Sequence, residues 1–129
     1  MVERKESSGL TEFKGKVVFV EKEEGIEGGT QFHLKIEPSD VAIKGKTGVL
    51  HEWIPLSHSS SDDAVAKGSV MDLYLRQVEI VVPAAKKAVS VTAALELLKG
   101  KSFQWQKMEL GRAYQGNAAR QYSVPVKSL

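Results

Sequence analysis

The residues best able to do chemistry cluster near the end of the chain. Residues 99–129 carry six cations (Lys99, Lys101, Lys107, Arg112, Arg120, Lys127) against Glu109 alone, a balance of +5. Residues 1–98 hold 12 Lys+Arg against 15 Asp+Glu, a balance of −3. Such asymmetry between segments points to an anionic partner for the basic one. Flat rings are interleaved with these cations at Trp105, Tyr114 and Tyr122. Cations that track phosphates and rings that stack unpaired bases are what single-stranded nucleic acid requires, at roughly 1–3 kcal/mol per stacked base. Lys101, Trp105, Lys107, Arg112, Tyr114 and Arg120 are therefore the first binding candidates. Arg112 and Tyr114 fall in a loop with two glycines, residues 111–117. Ordinary packing competes for the rings. Phe103 and Trp105 share a strand face with Lys107, so Phe103 belongs to the core and Trp105 is either core or platform. Tyr122 alternates with Val124 and Val126 and is assigned to the core.

A second polar group comprises Lys14, Lys16, His33 and Lys35, on the outward faces of the first two expected strands. Lysines there also serve plain solubility and edge protection. His33, His51 and His58 show no HxxxH or HExxH spacing, and the chain has no cysteine to complete a zinc site. The one metal constellation to weigh is His33 and His51 with Glu52, and no metal or cofactor is expected. Residues 57–63 (SHSSSDD) hold the residue types of a hydrolytic triad, but such groups must converge from a rigid frame. No GxSxG elbow or phosphate loop accompanies them. They read as a polar loop whose serines and aspartates cap a helix. Residues 25–29 (GIEGG) lie among Glu21, Glu23, Glu24 and Glu27, which repel phosphate, so they read as a hairpin turn. An enzyme is not expected.

The elements that must position these residues follow from periodicity. With 129 residues, 42% hydrophobic and 26% charged, the chain is long enough for one globular domain. No apolar run approaches the roughly 20 residues that span a bilayer. Residues 1–9 are charged, lack the apolar stretch of a signal peptide, and are expected to form a disordered tail on a cytoplasmic domain spanning 10–129. Scarcity of Cys and Asn (Asn117 alone) suits a thermophile. Residues 13–20 read as a strand with Phe13, Val17 and Phe19 on one face, and Gly15 marks a bulge or coil. Residues 31–37 alternate Phe32, Leu34 and Ile36 with Gln31, His33 and Lys35, the pattern of a half-buried strand. Residues 41–44 are expected to continue the sheet. Residues 49–54 form a third strand in which His51 and Trp53 alternate in phase with Val49, so burial competes with exposure for both. The Ser69–Asp72 capping box opens a helix over 70–82, and Ser90 opens another over 91–99 that Gly100 ends. Strands close the chain at 103–110 and 119–126.

Three strands, a helical section and two strands are the order of the OB-fold, a five-stranded Greek-key barrel that binds oligonucleotides and oligosaccharides. Phe13-Lys14-Gly15-Lys16-Val17 looks like its coiled first strand, and residues 29–36 like its second strand after a glycine turn. Leu98-Lys99-Gly100-Lys101-Ser102-Phe103-Gln104-Trp105 resembles the entry to the fourth strand in small phage and archaeal single-stranded-DNA-binding proteins. The helical section is longer than the usual capping helix, so two α+β forms stay open: an OB-like barrel, or a curled antiparallel sheet packed on two helices. The resemblance implies a ligand face on the second and third strands, which adds Trp53 to Lys35 and brings in Gln31, His33 and His51. It implies a non-enzymatic module for single-stranded DNA or RNA. The alternative is an assembly subunit that binds a protein or a second copy through the 70–82 helix, where Leu75, Ile80 and Val82 lie off the main stripe.

Overall fold

The computed structural model describes residues 11–24, 29–56, 60–110 and 120–129. Alternation builds its sheet. Phe32, Leu34 and Ile36 of β2 (Thr30–Pro38) are buried, while Gln31, His33 and Lys35 between them keep part of their surface exposed. In β3 (Leu50–Leu56), Leu50, Glu52, Ile54 and Leu56 turn inward and His51, Trp53 and Pro55 outward. β1 (Glu12–Glu24), β4 (Ser102–Glu109) and β5 (Gln121–Ser128) complete an antiparallel sheet of order β3-β2-β1-β4-β5.

The phase of β1 changes along its length. Its register against β2 slips between Val17 and Phe19. Because side chains alternate with period two, the extra residue sends everything after it to the opposite face. Phe13 and Val17 are therefore core, Val20 packs against the core, and Phe19 stands on the outer face against His33. The expected grouping of Phe19 with Phe13 and Val17 is corrected accordingly. Residues 41–44 also differ from expectation. They begin a short helix, α1 (Val41–Thr47), because the Asp40 carboxylate accepts from the Ala42 and Ile43 amides at 2.8 and 3.3 Å.

The helical section follows its caps. Ser69 Oγ accepts from the Asp72 amide at 3.2 Å to start α2 (Val70–Val81), and the Asp72 carboxylate takes the Gly68 amide. A 3₁₀ turn (Pro83–Lys87) leads to α3 (Val91–Glu96), capped by Ser90. Asp62 takes the Thr92 amide at 2.9 Å, so this part of the polar loop caps α3. Gly100 ends the section at φ 82°, where a residue without Cβ is at ease.

A flat five-stranded sheet would hold its edges about 19 Å apart, four spacings of about 4.8 Å. Yet the Ser123 amide of β5 donates to Glu52 Oε2 of β3 at 2.8 Å. The sheet curls until its two edges face one another, but among the described residues no ladder joins them. Of the two expected forms, the curled antiparallel sheet is the one observed, and the barrel does not close. Pro55 and Pro125, one in each edge strand, lack the N–H groups a continuing ladder needs. α2 lies against both edges and supplies side chains instead: Tyr74 Oη donates to the Ser123 carbonyl at 2.9 Å, and Gln77 Nε2 to the Pro125 carbonyl at 3.1 Å. Among the described residues no helix is long and apolar enough to cross a membrane.

Candidate functional site

The outer face of β1–β3 is a grid fixed by strand register. Across it run the rows His51–Lys35–Phe19, Trp53–His33–Glu21 and Pro55–Gln31–Glu23. Opposed residues on neighbouring strands hold their side chains in contact distance, and here the contacts are mostly between flat rings. His33 stacks on Trp53 with centroids 4.7 Å apart and planes 17° apart. His51 lies 5.0 Å from His33 and 5.5 Å from Trp53, again nearly parallel. Phe19 meets His33 edge-on at 5.4 Å, and Lys35 Nζ sits 4.5 Å above the Phe19 ring, a cation–π contact.

Polar contacts hold the stack in place. His33 Nε2 and His51 Nδ1 are 2.8 Å apart. On its other side, His33 Nδ1 faces Glu23 Oε2 at 3.6 Å, while Gln31 Nε2 donates to Glu23 Oε1 at 2.9 Å. The His33 side chain is only 12% exposed. Loss of hydration holds its pKa below the ordinary histidine value; His51 and Lys35 push it the same way, while Glu23 and Glu21 oppose. At the rim, Glu37 pairs with Lys44 at 2.9 Å, a contact that lowers the Glu37 pKa.

The two tryptophans part company. Trp53 stands on this face, half-buried and accessible. Trp105, expected as a stacking ring, is fully buried. Phe13 covers it at 6.1 Å and Phe103 meets it edge-on, while its Nε1 donates to the Gly15 carbonyl at 3.0 Å. With no exposed surface and its N–H engaged, it is a core residue. Tyr122 is core as expected, with the Arg120 guanidinium 5.5 Å from its ring. Arg120 and Lys101 are exposed and Lys107 is half-buried opposite Ser123. All three lie with β4 and β5, beyond β1 from the ring stack. Lys35 and Trp53 are thus brought together, and Lys101, Lys107 and Arg120 do not join them. Arg112 and Tyr114 lie outside the described residues, as do Ser57 and His58.

The metal constellation His33, His51 and Glu52 is divided by the sheet: the imidazoles face outward, while Glu52 is 1% exposed on the core side. There its carboxylate takes the Ser123 and Trp53 amides. Sequence reasoning weighed Glu52 only as a ligand. The signal for its inward position was its phase with Leu50 and Ile54. No known family model and no curated protein matches the chain.

Proposed function

We propose that this domain is a non-enzymatic, OB-like module that holds single-stranded nucleic acid on the outer face of β1–β3. The observation that carries the reading is the Trp53–His33–His51 stack, a row of nearly parallel rings on an open sheet face. Each unpaired base has a π-face and stacks on such rings whatever its sequence. The strand order, with a helical section between β3 and β4, supports the OB-like reading. So does the position of the rings on the second and third strands, the face such folds use. Lys35 supplies charge for the phosphates, while Glu21 and Glu23 on the same grid limit it. Binding by this face is therefore dominated by stacking and only weakly dependent on salt.

Tryptophan emission and anisotropy with labelled single-stranded DNA, single-stranded RNA and duplex test this directly. Trp105 is buried, so quenching by a ligand reports Trp53. Trp53→Ala should weaken single-strand binding by about 10- to 100-fold, the equivalent of one stacked base, with the salt slope unchanged. Lys35→Ala should reduce the log–log salt slope by about 0.7, one phosphate contact. Duplex should bind more weakly than a single strand. Single-strand affinity unaffected by Trp53→Ala would overturn the reading. A second reading, self-association or protein docking on the α2 side, rests on Ile80 and Val89, 69% and 84% exposed. Leu75 and Val82 pack on the core, which leaves that surface narrow. It predicts sedimentation that changes with Ile80→Lys and no binding of nucleic acid.

A further inference from the structure

At 2.8 Å, the contact between His33 Nε2 and His51 Nδ1 needs one nitrogen to donate and the other to accept. It exists only while at least one ring is neutral. A second proton makes both nitrogens donors aimed at each other and sets two like charges side by side. An oxyanion between the rings relieves both conflicts, because it accepts from each N–H and offsets the charge.

We propose that His33, His51 and Lys35 form a proton-gated anion site. In mild acid it takes a phosphate oxygen, and near neutrality the imidazole–imidazole hydrogen bond closes it. As a site for the phosphodiester of a bound strand it rests on the reading of this face given above; a free phosphate offers the same chemistry.

The neighbouring groups act in both directions: the carboxylates of β1 favour protonation of His33 but oppose an anion, and the cation of β2 attracts one. From β1, Glu23 faces His33 Nδ1 and Glu21 lies opposite His33 in register. Protonated His33 therefore turns Nδ1–H towards the Glu23 carboxylate as an ion pair and leaves Nε2–H for the anion. From β2, Lys35 is the register partner of His51 and is held over Phe19; Glu37 is engaged by Lys44. From β3, Trp53 stacks on both imidazoles and excludes water from one side. Burial and the neighbouring His51 and Lys35 delay protonation of His33 to below the ordinary value of about 6.5. His33 is then neutral near pH 7 and takes up its proton only in mild acid.

The test uses labelled oligothymidylate, whose base takes up no proton in this range, at fixed ionic strength at about pH 7.5 and about pH 5.5. Wild-type affinity should rise about tenfold on acidification, the gain of one charge-assisted contact. His33→Gln and His51→Gln should abolish the rise. Inorganic phosphate should shift the His33 and His51 ring resonances in the acid sample alone. Phosphate shifts without oligonucleotide binding at either pH would sink the single-strand reading and leave the anion site standing. Oligonucleotide binding that ignores pH, with no phosphate shift, would overturn the anion site and leave the stacking platform. An undiminished acid rise in either His→Gln variant would also overturn it.

Discussion

Trp53 and Trp105 carry the same indole into opposite surroundings. Alternation placed Trp105 in phase with Phe103, but which face was inside depended on a partner 90 residues away: Gly15, whose carbonyl satisfies the buried indole N–H. Nothing local to Trp105 announces that acceptor. For the outer grid the sequence was more informative. His33, Lys35 and Trp53 occupy the polar phase of two cleanly alternating strands. His33 and His51 were weighed together only as metal ligands; that they meet each other directly depends on the register between two strands. Burial of His33, with the neighbouring His51 adding to it, also bears on stability. The folded-state pKa of His33 lies below its unfolded value, so in the window beneath about 6.5 the unfolded chain holds a proton that the folded chain refuses. The stabilisation is complete above that value. It is lost as pH falls from there to the folded-state pKa, and levels off below. Urea unfolding of ligand-free protein between about pH 7.5 and about pH 5 should show this decline, and His33→Gln should flatten it. An equal decline in the variant would assign it to other groups.

At the scale of elements, β2, β3 and the capped helices were readable, since period two and hydroxyl caps are local signals. β1 was readable as a strand but not in its phase, because Val17, Val18, Phe19 and Val20 are apolar in both phases and do not mark where the bulge falls. α1 escaped for another reason: it buries no residue, so no apolar stripe exists to detect, and Val41 and Ile43 favour strand. Gly15 was read as a bulge or coil, and its role is close approach. A Cβ there would lie 2.7 Å from Ile36 Cγ2 and 2.9 Å from the Glu37 carbonyl oxygen. The second contact is backbone, so β1 and β2 would have to separate. Gly15→Ala should destabilise by about 2–3 kcal/mol through overpacking, read from the urea midpoint. Gly45→Ala in α1 meets nothing within 4 Å and replaces a poor helix former, so it should be neutral or stabilise by up to about 1 kcal/mol.

On the scale of the whole molecule, the open seam between β3 and β5 is where the curled sheet is joined to its helices. Glu52 reaches across it to the Ser123 amide, and Tyr74 comes from α2 to the Ser123 carbonyl. Side chains thus satisfy the edge groups that a closing ladder would have paired, and three elements meet on one residue of β5. The element order implied a closed or curled form alike. What decides between them is edge chemistry, and Pro55, Pro125 and the inward carboxylate were its local traces. Tyr74 is fully buried, and its pKa is pushed well above 10, first by lost hydration and then by the Glu52 charge. Tyr122 is raised as well, again mainly by burial. A folded-state pKa above the unfolded value gives stability that is fully present below the unfolded pKa of about 10 and is lost as pH rises through the folded one. Unfolding should therefore begin in alkali above about pH 10, with tyrosinate absorbance and loss of tertiary circular dichroism appearing together. Tyr74→Phe should cost about 1 kcal/mol at neutral pH for the lost hydrogen bond and move the alkaline transition upward. Glu52→Gln keeps an acceptor for the Ser123 amide but removes the charge, so Tyr74 should ionise at lower pH than in the parent. If the seam acts as a unit, the neutral-pH effects of Tyr74→Phe and Glu52→Ala should depart from additivity by more than about 0.5 kcal/mol. Additive losses would mean that Glu52 and Tyr74 hold Ser123 independently, and that β3 and α2 are secured to β5 by separate contacts.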